Sequence, residues 1–197
     1  MSKVTIGVPC NRLIKPETAQ SLMALVARGG HEFHICVASE GYTIAENRTY
    51  IAVQAVNHGS EYLFFVDDDM VFSPDYLDTL LAHQKDIAGG VYSSRMENSP
   101  RQVYRSMDDV VDLRTENLTE LTKVIAKGTA LMLINTKVFS MPRPWFQFTY
   151  NELGQCSEGE DWFFCKKAAE YGFETWVDPI LYNGHVGDKV YGVSNTM

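Results

Sequence analysis

The apolar run Tyr62-Leu63-Phe64-Phe65-Val66 stops abruptly on three consecutive carboxylates, Asp67, Asp68 and Asp69. A short run rich in aromatic and branched residues reads as a buried strand. The acids cannot follow it inward, because one unpaired buried carboxylate is costly and three together repel one another. The strand must therefore end at an edge where something cationic arrives. Oxygen ligands at this spacing suit a hard divalent ion, Mg²⁺ or Mn²⁺. Such ions complete their coordination with phosphate oxygens, so the cluster points to a phosphorylated substrate. The alternative is that the acids merely serve the dipole of the next helix. That need is already met by Ser73 as N-cap, Pro74 at the first helical position and Asp75 in the first turn.

Around this strand the first half of the chain alternates. Val4 to Val8 reads as a strand, Pro16 opens a helix to Arg28 that Gly29-Gly30 stops, and Phe33 to Ala38 is a second strand. Thr43-Ile44-Ala45-Glu46 is a capping box opening a helix to His58. Glu61 to Val66 is the third strand, Ser73 to Gln84 a helix and Ile87 to Tyr92 a fourth strand. This order predicts an α/β fold with a mostly parallel central sheet flanked by helices. Ligands of such sheets bind at the carboxyl ends of the strands, where Asp67 to Asp69 fall.

The second half is less regular. Residues 95–120 are polar, carry Arg95, Arg101, Arg105 and Arg114, and read as short antiparallel strands and a long loop. Gly128 to Ile134 is apolar, Thr136 starts a short helix, and Pro142 to Tyr150 is an aromatic loop. Residues 151–159 read as a mobile stretch and a candidate lid over a bound ligand. A helix runs from Gly159 to Tyr171, ended by Gly172, and Phe173 to Val177 is a last strand. One domain over 1–197 accounts for the pattern, with a regular half over 1–92 and a less regular half over 93–197.

Composition narrows the partners. The net charge of −8 argues against bare nucleic acid or an anionic membrane surface, which need a basic footprint. No apolar run approaches the roughly 18 residues of a membrane span. Cys10, Cys36, Cys156 and Cys165 form no Cys-x-x-Cys pair, and with no signal peptide they read as reduced thiols of a cytoplasmic protein.

Two further constellations carry chemistry. At helical spacing Asp161, Phe164, Cys165, Ala168 and Gly172 share one face, placing Asp161 at the margin of the buried side. A carboxylate partly desolvated by Trp162 and Phe164 suits a general base. The competing reading is that Glu158, Glu160 and Asp161 only complement the helix dipole. His185 lies in Asn183-Gly184-His185-Val186-Gly187, between glycines that let backbone approach a ligand, with a capped loop histidine as the competing reading. His31 and His34, three apart near a strand, face opposite ways and are poor joint ligands. No Gly-x-Gly-x-x-Gly, no Gly-x-x-x-x-Gly-Lys and no nucleophile elbow is present.

Taken in order, these landmarks resemble a small GT-A-fold glycosyltransferase of the family 2-like group. Gly7-Val8-Pro9 is similar to that family's nucleotide-binding start, and Phe65-Val66-Asp67-Asp68-Asp69 to its DXD motif. Gly159-Glu160-Asp161-Trp162 followed by Ala169-Glu170-Tyr171-Gly172-Phe173 resembles the Glu-Asp helix motif, Gly128 to Ile134 the acceptor-side segment before it, and His185 a final metal ligand. The resemblance implies a Rossmann-like domain that moves a sugar from a nucleotide-diphosphate sugar, UDP-linked, to an acceptor hydroxyl. Asp161, in the Glu160-Asp161 pair, would be the catalytic base. Asp67, Asp69 and His185 would hold the metal, with Mn²⁺ preferred over Mg²⁺. Pro9, Arg12, Glu40, Arg48, Asp67 and Asp68 would meet the nucleotide sugar. Without a second carboxylate placed for a covalent intermediate, the displacement would invert the anomeric centre.

The chain ends soon after His185, so the acceptor, a glycan or other hydroxyl compound, must be bound by residues 93–157, by another domain or by a second subunit. Trp145, Phe146, Phe148 and Trp162 are candidate platforms for a sugar ring, with core packing as the alternative for each. Two other classes compete. One is a sugar-phosphate nucleotidyltransferase, although Cys10-Asn11-Arg12-Leu13 lacks the usual glycine richness after the first strand. The other is a non-catalytic nucleotide-sugar-binding module.

Overall fold

The computed structural model describes residues 1–11, 13–39, 41, 43–92, 102–104, 110–112, 119–181, 183–187 and 190–192. The alternation expected of the first half is present: β1 (Lys3–Pro9), α1 (Pro16–Arg28), β2 (Glu32–Ala38), α2 (Ile44–Asn57) and β3 (Tyr62–Val66). Local chemistry explains the boundaries. Pro16 opens α1, and Gly29 stops it at φ 73°, a conformation that side-chain-bearing residues resist. Thr43 Oγ1 accepts the Glu46 amide at 3.2 Å while the Glu46 carboxylate accepts the Thr43 amide at 3.0 Å, completing the capping box of α2.

The next helix corrects the sequence reading. Met70–Phe72 forms a strand, β4, and α3 spans only Tyr76–Ala82, with Asp75 at its N-cap and no side-chain cap bond. Ser73 and Pro74 lie in the turn before it, because pairing holds the chain extended through Phe72. The remaining elements are β5 (Ile87–Gly90), β6 (Gln102–Tyr104), β7 (Val110–Asp112), β8 (Thr122–Val124), β9 (Leu131–Asn135), a 3₁₀ turn at Thr136–Ser140, β10 (Thr149–Tyr150), β11 (Cys156–Glu158), α4 (Glu160–Glu170), β12 (Thr175–Asp178), β13 (Asn183–Val186) and β14 (Val190–Gly192). Arg95, Arg101, Arg105 and Arg114 lie outside the described residues.

The central sheet has seven strands in the order β2-β1-β3-β9-β5-β12-β8. β1, β2, β3, β5 and β12 run one way, and β9 and β8 run against them. The sheet is thus mostly parallel, and β5 does not touch β3 because the apolar segment of β9 lies between them. A three-stranded antiparallel sheet, β14-β13-β4, sits beyond the end of β3. Residues 151–159, read as a mobile stretch, close an exposed hairpin: Thr149 pairs with Glu158, and the Asn151 side chain accepts the Leu153 and Gln155 amides at 3.0 Å each.

Each face of the sheet has its own core. Leu63, Phe65, Met132 and Ile134 pack with Ile51, Ala52 and Ala55 of α2 and with Phe164, Cys165 and Ala168 of α4. Phe64, Val66, Leu131 and Leu133 pack with Leu25 of α1 and with Tyr76, Leu77 and Leu80 of α3. Alternation along β3 sends successive side chains to opposite cores. Trp145 and Phe146 belong to the first core and are not sugar platforms: Phe146 stacks on Phe164 at 4.6 Å, and Trp145 Nε1 donates to the Met141 carbonyl at 2.8 Å. Phe148 and Trp162 are only partly buried, at the margin of that core.

Candidate functional site

Five parallel strands end on one edge, and the acids lie there. Directly after β3 the chain is pinned, the Asp67 amide donating to the Ala130 carbonyl at 2.8 Å. The three carboxylates then part. Asp68 turns back to the loop after β1, accepting the Asn11 amide on Oδ2 at 3.2 Å, while its carbonyl accepts the Lys15 amide at 2.8 Å. That loop starts from buried Pro9 and carries Arg12, which lies outside the described residues, as does Glu40 after β2.

Asp67 faces Arg48. Arg48 Nη2 donates to Asp67 Oδ2 at 3.3 Å, and Arg48 Nε donates to Glu160 Oε1 at 3.1 Å. Only 4% of the Arg48 side chain is exposed, and its guanidinium lies 5.4 Å from the centre of the Phe65 ring. Burial by itself would lower the guanidinium's pKa, but Asp67 and Glu160 outweigh it and hold the group above its ordinary value. Burial pushes Glu160 up, with Arg48 opposing. Arg48, expected at the nucleotide, is therefore committed inside the chain as a bridge from α2 to both acidic motifs. Arg48 Nη2 also lies 3.0 Å from Asp67 Oδ1 as an ion pair, and Arg48 Nη1 is buried without a hydrogen-bond partner.

Asp69 goes the other way. It is 2% exposed, and its Oδ2 lies 3.1 Å from His185 Nε2. The cause is strand pairing. β13 runs antiparallel to β4 with His185 opposite Met70, and the Val186 amide donates to the Asp69 carbonyl at 2.7 Å. His185 thus sits on a strand and not in a loop. Asn183 anchors that strand by donating to the Val91 carbonyl at 2.9 Å, and Tyr92 meets the His185 ring edge-on at 5.9 Å. Two donors at right angles around an ion with bonds of about 2.1 Å stand about 3.0 Å apart. Asp69 and His185 fit that spacing. Among the described residues no third His, Cys, Asp or Glu completes a cluster of three, and Asp67 faces Arg48.

Asp161 occupies the first turn of α4, half-buried, with Oδ1 accepting the Trp162 amide at 2.8 Å. Its Oδ2 faces Gly128, where a Cβ would come within 3.5 Å of it. Beside α2 a cleft of about 460 Å³ is lined by Val37, Ala38, Ser39, Gly41, Glu46, Asn47 and Tyr50, at the carboxyl end of β2. Asn47 is buried here and accepts the Gly41 amide at 2.8 Å. Sequence reasoning passed over Lys127 and Tyr92. The available signal was a lone lysine after the apolar Val124-Ile125-Ala126.

No family model matches the chain, and no curated protein sequence matches it. Solved structures do. A197 from STIV aligns at 15% identity with a TM-score of 0.65, over 99% of this chain and 96% of that one. GalNAc-T7, solved with UDP, GalNAc and Mn²⁺, aligns at 12% identity with a TM-score of 0.55, over 95% of this chain and 44% of that one. S. aureus TarS 1-349 in complex with UDP-GlcNAc aligns at 13% identity with a TM-score of 0.51, over 98% of this chain and 58% of that one. The fold is that of the nucleotide-diphospho-sugar transferases. The chain spans nearly all of A197 but only about half the length of the other two. No helix among the described residues is long and apolar enough to cross a membrane.

Proposed function

We propose that this protein is a metal-dependent glycosyltransferase that moves a sugar from a nucleotide-diphosphate sugar, UDP-linked, to an acceptor hydroxyl. The observation that carries the reading is the convergence of three features on one sheet edge. They are the Asp69–His185 pair, the Asp161 carboxylate, and the cleft between β2 and α2. GalNAc-T7 and TarS, which share the fold, were solved with UDP or a UDP-sugar, and GalNAc-T7 with Mn²⁺. A fold alone does not fix a reaction, so the assignment rests on the site.

Asp69 and His185 would hold Mn²⁺ or Mg²⁺, with remaining positions left to diphosphate oxygens and water; imidazole beside carboxylate favours Mn²⁺. The bound ion would supply Lewis-acid stabilisation of the departing diphosphate. The cleft beside Tyr50 and Asn47 receives the nucleoside, with Pro9 and Asp68 shaping its neighbouring loop. Asp161 takes the proton from the acceptor hydroxyl, and attack from that side inverts the anomeric carbon. Arg48 and Glu160 act as positioning residues: together they fix the start of α4, and so Asp161, against the strand that carries the acidic motif. The acceptor is a glycan or another hydroxyl compound, met by residues of 93–157 or by a further domain or subunit.

The test is nucleotide release from a panel of UDP-, GDP- and dTDP-sugars with Mn²⁺, Mg²⁺ or EDTA. Release of one nucleoside diphosphate that requires metal and disappears in Asp69→Ala is expected. Pyrophosphate release from a nucleoside triphosphate and a sugar phosphate would move the protein to the nucleotidyltransferases. Silence toward every donor and acceptor class would leave only the binding module.

A further inference from the structure

Lys127 follows an apolar segment, and only 2% of it is exposed. Its Nζ donates to the Gly128 carbonyl at 2.6 Å and to the Leu131 carbonyl at 3.3 Å, and lies 5.9 Å from the centre of the Tyr92 ring. Its own carbonyl accepts the Cys165 thiol of α4 at 3.7 Å. Two glycines make the space. A Cβ on Gly89 would overlap Nζ and the Leu131 carbonyl, and one on Gly128 would overlap the Tyr92 hydroxyl. An ammonium here is costly, and burial pushes its pKa down to about 8. A methionine of similar shape would avoid that penalty, so the charge calls for an explanation.

The explanation lies in what the two carbonyls bracket. Residues 128–131 form the turn into β9. On one side Ala130 in that turn accepts the Asp67 amide at 2.8 Å. On the other, the Asp161 carboxylate lies over Gly128, where an added Cβ would stand 3.5 Å from Oδ2. Asp67 and Asp161 also both lie within electrostatic reach of the ammonium.

We infer that Lys127 is a positioning residue which, by tying the Gly128 and Leu131 carbonyls, fixes the one turn that seats Asp67 and Asp161 relative to each other. Asp161's part in this rests on its reading as the acceptor base; the tying of the turn does not. Lys127 touches no substrate. A displaced base loses near-attack geometry while the nucleotide cleft beside α2 stays intact, so turnover should fall without loss of donor affinity.

The experiment compares wild type with Lys127→Met by amide hydrogen exchange and by nucleotide-release kinetics, using whichever donor of the UDP, GDP and dTDP panel the wild type hydrolyses. Exchange at Asp67 and residues 128–131 should rise at least about tenfold while the rest of the sheet stays protected. The donor KM should stay within about twofold while kcat falls about 10- to 100-fold. Unchanged exchange in the turn overturns the inference. So does unchanged kcat, or a uniform rise of exchange with kcat and KM failing together, which would mark a merely structural lysine. Should Lys127→Met fail to fold, Lys127→Gln, whose shorter neutral side chain loses the tie to the two carbonyls, is judged by the same outcomes. If the wild type releases no nucleotide from any donor, the transferase reading falls, and exchange at 128–131 still decides whether Lys127 fixes the turn.

Discussion

The two faces of the central sheet are built from the same strands and packed to opposite ends. Against α1 and α3 the core is mostly hydrocarbon: buried Asp178 pairs with His83 at the end of α3 at 2.8 Å, and at the rim Arg28 meets Asp78 at 2.9 Å with both side chains well exposed. Against α2 and α4 the core encloses Arg48 and Glu160, with Lys127 behind them. Buried charges seldom add stability over well-packed apolar groups, so a face that concentrates them is a face shaped for chemistry. The first face holds the sheet together, and the second aims carboxylates at its carboxyl edge.

Breaking the charged face should have the largest effect. Arg48→Met leaves buried Glu160 and half-buried Asp67 unpaired, and should cost about 3–5 kcal/mol in denaturant unfolding together with nearly all nucleotide release. Asp161→Asn keeps the shape of α4 and should lower kcat about 10²- to 10⁴-fold with donor binding intact, as loss of a general base does. On the apolar face, Leu80→Ala should cost about 2–5 kcal/mol yet leave release per folded molecule unchanged, which sharpens the contrast. If Leu80→Ala damaged kcat as Arg48→Met does, the division of labour between faces would be wrong.

A subtler difference is in pH dependence. The Lys127 pKa, depressed to about 8, lies below the ordinary lysine value, so the folded state favours the neutral amine. Its contribution is fully present above the ordinary value and is lost as pH falls through about 8. The stability of wild type relative to Lys127→Met should therefore rise from pH 8 upward and be flat below it. Asp67, Asp161 and Cys165 face the ammonium favourably and Arg48 unfavourably, and all four are common to both proteins. The smallest effect is Arg28→Ala at the exposed rim, about 0.2–1 kcal/mol by denaturant unfolding.

What the sequence disclosed divides along the same lines. Local rules placed β1 to β3, α1 and the Thr43–Glu46 capping box, because caps, glycine stops and apolar runs act within a few residues. They also marked Asp67 to Asp69 and Glu160-Asp161 as acids needing a purpose. Local rules failed at Ser73-Pro74, where a good helix start lost to β4, whose partner β13 lies more than a hundred residues away. They were silent on β9 between β3 and β5, since strand neighbours are chosen by long-range packing and not by periodicity. They could not show that Arg48 meets Glu160, 112 residues on, because nothing nearby signals that contact. Trp145 and Phe146 show the same limit: aromatic residues in a proline loop look alike whether they face a sugar or a core.

The most direct test of the account is calorimetric titration of UDP, GDP and dTDP into wild type and His185→Ala, with and without Mn²⁺. The account predicts that one nucleotide binds, that binding depends on the metal, and that His185→Ala abolishes the metal dependence while the melting temperature stays close to wild type. Tight binding that ignores both Mn²⁺ and His185, or no nucleotide binding at all, would contradict it.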